Sequence, residues 1–187
     1  SINTVAKAAG KKIAVLDYDE AQKIMVQQIG AQAVSADVTN FGAKFNNHQV
    51  DIIGAPAAAF KPLELHKGLG TKGAIVDYPI LQVTGNIIIR QDKFPEGFGQ
   101  KSRDWVKGQL PRAFNILGKM KADIPQKYWM EVPAADKPGY QKMMRESRIN
   151  LTKRGIYDKR MMKLLWQFRC KEDRTNFECG LQDENYK

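Results

Sequence analysis

The chain has 187 residues, 43% hydrophobic and 27% charged, with a formal net charge of +10. That length allows one domain or two small ones with a real core. No apolar run approaches the roughly 18 residues that a membrane-spanning helix needs. Residues after position 100 hold 20 of the 30 basic side chains but only 11 of the 20 acidic ones, so the positive excess is C-terminal.

The first ten residues, Ser1 to Gly10, lack the long apolar core of a signal peptide. Lys12–Leu16 then reads as a compact buried strand. Asp19 stands three residues before Gln22, a capping-box arrangement that opens a helix carrying Ala21, Ile24, Met25 and Ile29, with Gly30 as its stop. Gln32–Ala36 is a second strand. Thr39 or Asn40 can cap the next helix, on which Phe41 and Phe45 share one face, and Asn46-Asn47-His48 closes it. His48, alone in a helix-to-strand turn, reads as an exposed or capping residue. Asp51–Ala55 is a third strand, and Pro56 forces an extended exit from it.

Strands alternating with helices predict a parallel sheet of βαβ units, whose ligand crevice lies beyond the carboxyl ends of the strands. Pro62 can open a short helix through Leu63 and Leu65. Gly70 and Gly73 read as turn residues, since no phosphate-loop or dinucleotide fingerprint is present. Ala74–Val76 and Gln82–Arg90 look like strands, the second long enough to cross between two lobes.

From Phe94 onward the pattern is helical. Phe94-Pro95-Glu96-Gly97 is a turn, and Ser102 can cap a helix carrying Trp105, Val106 and Leu110. Pro111 breaks or kinks that helix before Ala113, Phe114, Leu117 and Met120. Tyr128 and Trp129 lie in a proline-bounded connector and read as packing anchors. Tyr140, Met143, Met144, Ser147 and Leu151 share a helical face that ends at Gly155. Asp158 can cap a last helix with Met161, Leu164, Leu165 and Phe168 facing inward. The interleaved basic residues then form the wet side of these helices, although a basic face of this kind can also attract nucleic acid or anionic lipid.

Cys170 and Cys179 leave two readings open. A disulfide would tie the tail to the last helix and contribute roughly 2–3 kcal/mol. Alternatively, the two are reduced thiols of a cytosolic protein. The polar, loop-like segment between them favours the disulfide and an oxidising compartment. His48 and His66 are far away and no four-ligand pattern exists, so a zinc site is not indicated. There is no nucleophile elbow and no histidine near a plausible serine or cysteine partner. The adjacent Asp17 and Asp19 are explained by capping, so an enzyme is not indicated either.

Three runs carry a resemblance to a known family: Gly10-Lys11-Lys12-Ile13-Ala14-Val15, Gln28-Ile29-Gly30-Ala31-Gln32-Ala33-Val34, and Val50-Asp51-Ile52-Ile53. Their order and spacing resemble the periplasmic solute-binding proteins of TRAP-type transporters. Asn86-Ile87-Ile88-Ile89-Arg90-Gln91-Asp92-Lys93-Phe94 is similar to that family's crossover strand and the turn after it. The C-terminal half, with Gly155-Ile156-Tyr157-Asp158 and the cysteine pair, looks closer to a further branch of solute-binding proteins. The resemblance covers most of the chain and implies the C-terminal portion of a longer protein. The family's ligand-pairing arginine would fall at Ala14, and its polar stretch after the third strand at Gly54-Ala55-Pro56.

The resemblance implies an α/β fold, a periplasmic-binding-protein type II-like lobe with a parallel βαβ sheet, followed by C-terminal helices. Expected divisions are residues 11–82 as the α/β lobe and 83–125 as a crossover strand and helices of the other lobe. Residues 126–187 would be C-terminal helices with a disulfide-closed tail. The implied role is capture of a small polar solute between two lobes, in the periplasm, for a membrane transporter subunit. The missing N-terminal lobe would be a further partner, with no cofactor and no nucleic acid. Asp17, Tyr18, Thr39, Asn40, Pro56 and Gln82 are the residues expected to line the cleft, where helix N-termini suit polar or anionic groups. Each of them also serves as a helix cap or turn residue. Two other readings are the effector-binding domain of a cytoplasmic transcription regulator and a basic nucleic-acid-binding module.

Overall fold

The computed structural model describes residues 2–81 and 85–186. A short helix, α1 (Val5–Ala8), is capped by Thr4 and leads into β1 (Lys12–Leu16). Helix α2 (Glu20–Gln28), β2 (Gln32–Ala36), α3 (Phe41–Asn46) and β3 (Ile52–Ile53) complete a βαβαβ unit. The sheet is parallel in the order β2-β1-β3, with Ala14 paired to both Val34 and Ile53.

The central strand separates two apolar layers, because alternate side chains of a strand point to opposite faces. Ile13 and Val15 pack with Val26 and Ala31 on the α2 side. Ala14 and Ala36 pack with Phe45, Val50, Phe60, Leu65, Leu69 and Ile124 on the α3 side. Gly30, at φ +74°, ends α2 as its sequence position predicts. His48 is an exposed turn residue at φ +56°.

A 3-10 turn (Ala57–Ala59) and α4 (His66–Leu69) follow, so the short helix starts after Leu65 rather than at Pro62. Strand β4 (Ile75–Val76) pairs in parallel with β5 (Trp129–Met130). Tyr128 and Trp129 pack against the α3-side core, as expected of anchors.

Between these strands lies the departure from the expected strand Gln82–Arg90. Gln82 falls outside the described residues, and residues 85–90 form no ladder. Ile87 and Ile88 are 86% and 92% exposed. A β-branched run becomes a strand only when another strand meets its backbone groups, and none does so among the described residues.

Helix α5 (Phe98–Ala122) starts after Gly97, four residues before the expected Ser102 cap, and runs through Pro111 without interruption. The carbonyl that Pro111 leaves unpaired, that of Lys107, is on a solvent-exposed helix, where water can satisfy it. No described residue of α5 is buried. Its C-terminal end is held by Lys121–Asp77 (3.0 Å) and Lys61–Asp123 (2.7 Å).

Helix α6 (Lys137–Lys153) buries Tyr140, Met143, Ser147 and Leu151, the face its periodicity predicts, and packs on α1 and α2. Gly155, at φ +74°, closes it. Helix α7 (Lys159–Glu172) is capped by Asp158, whose carboxylate accepts the Met161 N–H at 2.8 Å.

Here the expected inward face is wrong. Met161, Leu164, Leu165 and Phe168 are 53%, 45%, 44% and 53% exposed. Met162 is buried, and Trp166 and Cys170 are half-buried one and two turns on. Both stripes are apolar. The choice between them is made by Arg169, which bonds Glu184 at 2.8 Å, and by the Cys170–Cys179 disulfide, which together turn the Met162 side towards the tail.

Candidate functional site

The strand order determines where a ligand crevice can form. From β1 the chain crosses over α2 to β2, then back over α3 on the opposite face to β3. The connections leaving β1 and β3 therefore diverge to opposite sides of the sheet, which is the switch point of an open α/β sheet. Asp17, Tyr18 and Asp19 follow β1 there, and Gly54, Ala55 and Pro56 follow β3.

Tyr18 is 72% exposed, so its ring is free to cover something at the rim. Asp17 is exposed too, and Ser35 donates its hydroxyl to the Asp17 carboxylate, linking the ends of β1 and β2. Backbone bonding reinforces the link, with Asp17 N–H donating to the Ala36 carbonyl at 2.8 Å. Pro56 is exposed at the start of the 3-10 turn.

Thr39 and Asn40 stand at the end of β2, but they are engaged by Asp37 rather than acting as caps themselves. The Asp37 carboxylate accepts the N–H of Thr39 at 2.7 Å and that of Asn40 at 3.1 Å. The Asn40 side chain makes no capping bond to α3. Hydrogen bonds from the Thr39 side chain first, then from its backbone, hold the Asp37 carboxyl below its ordinary range. The expectation that Thr39 or Asn40 caps this helix is corrected accordingly: the short Asp37 side chain reaches back to its own loop before either neighbour can.

Two rim residues escaped the sequence reading. Asp19 caps α2 as predicted, accepting the Gln22 N–H at 2.9 Å. Gln22, however, does not return the bond in a reciprocal box. Its Oε1 accepts the Leu16 N–H at 2.9 Å, and a Cβ built on Gly54 would lie 3.6 Å from its Nε2. Gln22 therefore spans the switch point from β1 to β3. The capping-box spacing flagged the position but assigned its side chain to the wrong backbone group. The second residue is Tyr157 in the α6–α7 turn, whose phenol is pushed above its usual range by burial and by the Asp19 charge. It brings the C-terminal helices to the edge of the same rim.

Ala14, where the resembled family places its arginine, is 3% exposed in the middle of the sheet. The rim therefore presents carboxylates, a carboxamide and a phenol ring, suited to a polar solute held by hydrogen bonds. Among the described residues no group of three or more His, Cys, Asp or Glu is placed to hold a metal ion, and no helix is long and apolar enough to cross a membrane. Cys170 and Cys179 form a disulfide with Cα atoms 5.6 Å apart, the first of the two readings of that pair.

The chain is 62% identical over 184 residues to "Probable solute-binding protein AdeT1" of Acinetobacter baumannii, a match covering 98% of this chain and 60% of the relative. It is 31% identical over 180 residues to "Probable solute-binding protein AdeT2" of the same organism, covering 96% and 76%. The chain thus spans about three fifths of the length of the first relative. Its fold is similar to that of a TRAP periplasmic solute-binding protein from Desulfovibrio salexigens, solved with bound orotic acid. The TM-score is 0.60 at 16% identity, over 88% of this chain and 55% of the other. That likeness establishes a periplasmic-binding-protein-like α/β fold. The family model for solute-binding protein AdeT 1/2 matches residues 1–184, and the chain belongs to that family.

Proposed function

We propose that the protein captures a small polar solute at the carboxyl-end rim of the β2-β1-β3 sheet, outside the cytoplasm, and presents it to a membrane transporter. The observation that carries this reading is the switch point between β1 and β3, which Asp17 and Tyr18 follow on one strand and Pro56 on the other, with Gln22 reaching across it. Thr39 and Asn40 contribute through the neighbouring loop, and Gln82 is retained as a candidate lining residue. The family supports a binding role rather than a catalytic one, and the reading requires no cofactor. The Cys170–Cys179 disulfide supports an oxidising compartment, the periplasm, over a cytoplasmic effector domain.

In this reading the rim is half of a cleft. Residues 83–125 would reach towards a second lobe while Ile124 anchors their end in the α3-side core, and hinge closure between the lobes traps the solute. The exposed Ile87 and Ile88 and the unburied α5 support this.

Thermal unfolding of the chain against a panel of small polar solutes tests the reading. Orotate is the first probe, since the structural neighbour holds orotic acid. At least one solute raises Tm, and Asp17→Ala and Tyr18→Ala each weaken its binding about tenfold, the loss of one good polar or aromatic contact. A panel with no stabilising solute, or a solute indifferent to both substitutions, would overturn it.

A further inference from the structure

Helix α7 presents a second apolar face that the described residues leave uncovered. Its inner side is occupied by Met162, Trp166 and Cys170. Met161, Leu164, Leu165 and Phe168 project outward, each between 44% and 53% exposed. One helical turn spans about 3.6 residues, so these four form a continuous ridge along the helix.

The ridge is bordered along one flank by Arg160 and Lys171, with Lys163 beyond them at the edge of the inner side. Arg160 and Lys171 are exposed and Lys163 is half-buried, and among the described residues none of the three makes an ion pair. A shallow depression brings both kinds of group together, lined by Asp158, Arg160, Met161, Lys163, Leu164 and Gln167. The acids on or beside α7 sit at its ends, Asp158 as the N-cap and Glu172 and Asp173 at the C-terminus. The middle of the helix therefore carries no acid.

Only Tyr157, which precedes the α7 cap, reaches the solute rim, and the ridge runs along the helix beyond it. Helix α6 carries α7, and α6 packs on α1 and α2. The long α5 lies on the other side of the sheet, joined through Ile124 to the α3-side core.

We propose that the outer face of α7 is a docking surface for an anionic phospholipid membrane. The ridge enters the headgroup boundary and Arg160 and Lys171, on its flank, meet lipid phosphates. Charge complementarity selects this partner: an apolar ridge flanked by cations is the pattern of helices that lie in the plane of an anionic membrane. The face is a single helix with one shallow depression at its start and no free strand edge. It offers nothing for a peptide to be read by, which argues against a protein partner. The proposal does not depend on what solute the rim holds. It would keep a solute carrier near the membrane in which its transporter sits.

The test is co-sedimentation of the full chain with vesicles. One set is phosphatidylglycerol mixed with phosphatidylethanolamine, and the other is phosphatidylcholine alone. The bound fraction should be at least about tenfold higher on the anionic vesicles at low salt, and should fall severalfold near 0.5 M salt, about the level at which screening becomes short-ranged. Leu164→Glu with Phe168→Glu should abolish binding without lowering Tm, since both side chains are already exposed. Phe114→Glu on α5 should leave binding unchanged. Equal binding to both vesicle types, no binding, or loss of binding through Phe114→Glu would overturn the proposal. So would a concentration-dependent dimer, seen by analytical ultracentrifugation, that the α7 double variant dissolves, because a second copy would then cover the face.

Discussion

Gln22 Oε1 accepts the backbone N–H of Leu16 at 2.9 Å, which places a helix side chain across the last residue of the central strand. Leu16 is still paired with Ala36 of β2, but the pairing with β3 has ended at Ala14–Ile53, so on that side no strand can replace the bond. Gln22→Ala should therefore leave a part-buried donor unpaired, at a cost of about 1–2 kcal/mol. Gln22→Glu keeps the acceptor and should recover most of that loss. Urea denaturation of the two variants separates them, and equal midpoints would show that the bond contributes nothing. If Gln22 also faces the solute, the alanine variant should bind it more weakly than its loss of stability explains.

Gly68 gives a prediction whose sign runs against helix propensity. It lies in α4, where alanine would ordinarily stabilise by about 1 kcal/mol. A Cβ there would sit 2.5 Å from Phe45 Cδ1 and 2.9 Å from the Phe45 carbonyl oxygen. Phe45 is itself buried in the core, so neither the ring nor the backbone can retreat without cost. Gly68→Ala should lower stability by about 1–3 kcal/mol, the usual range for overpacking. An unchanged or higher Tm would refute the close approach of α4 to α3.

The elements that could be read from the sequence are those where local and tertiary preferences agree. Lys12–Leu16, the helix after Asp19 and the stop at Gly30 form a self-consistent set, and the buried face of α6 follows from its spacing alone. The failures have a different origin. Periodicity shows that α7 has an apolar stripe, but Met162, Trp166 and Cys170 form a second one. Only Arg169 and the disulfide, which act across the tail, decide which turns inward. Ile87-Ile88-Ile89 has the composition of a strand, yet a strand is a relation between two segments and among the described residues none pairs with it. At the rim, topology put the loops after β1 and β3 side by side. The division of labour between Asp37 and Asn40, and the reach of Gln22, depend on side-chain geometry to within an ångström or so, which residue type does not encode.

Reducing the Cys170–Cys179 bond should loosen the tail without unfolding the protein. The closed loop is short, with nine residues of sequence separation, and the chain-entropy model assigns such a loop about 2–3 kcal/mol. The tail has other anchors that survive reduction, namely Arg148 to Glu178 at 2.8 Å and Trp166 Nε1 to the Glu178 carbonyl at 3.4 Å. Urea unfolding with and without reductant should show a lower midpoint in the reduced protein, still with a folded baseline. The Cys170→Ser, Cys179→Ser double variant should match the reduced form. Identical midpoints would mean that the bond adds nothing to what the ion cluster already supplies.

The ion cluster should govern the acid limb of stability. Glu184 is buried, its side chain 2% exposed, and it receives Arg148 Nε at 2.7 Å and Arg169 Nη2 at 2.8 Å. Burial alone would raise its pKa. The hydrogen bond and charge of Arg148, followed by those of Arg169, outweigh burial, and the net displacement is downward from 4.5. A folded-state pKa below the unfolded one means that the folded protein binds fewer protons in that interval. The stabilisation is therefore fully present above the unfolded value and is lost as pH falls through the folded one. Asp37, lowered by its bonds to Thr39, has the same sign. Stability should hold level from neutral pH down to about pH 5 and decline below it. Glu184→Gln should cost about 2 kcal/mol at pH 7, because Arg169 loses its counter-charge and Arg148 keeps only that of Glu178. It should also flatten the decline below pH 5, since the group that takes up the proton is gone. Urea midpoints measured from pH 3 to pH 8 for both proteins decide the matter: an acid limb unchanged in the variant would assign that limb to carboxylates other than Glu184.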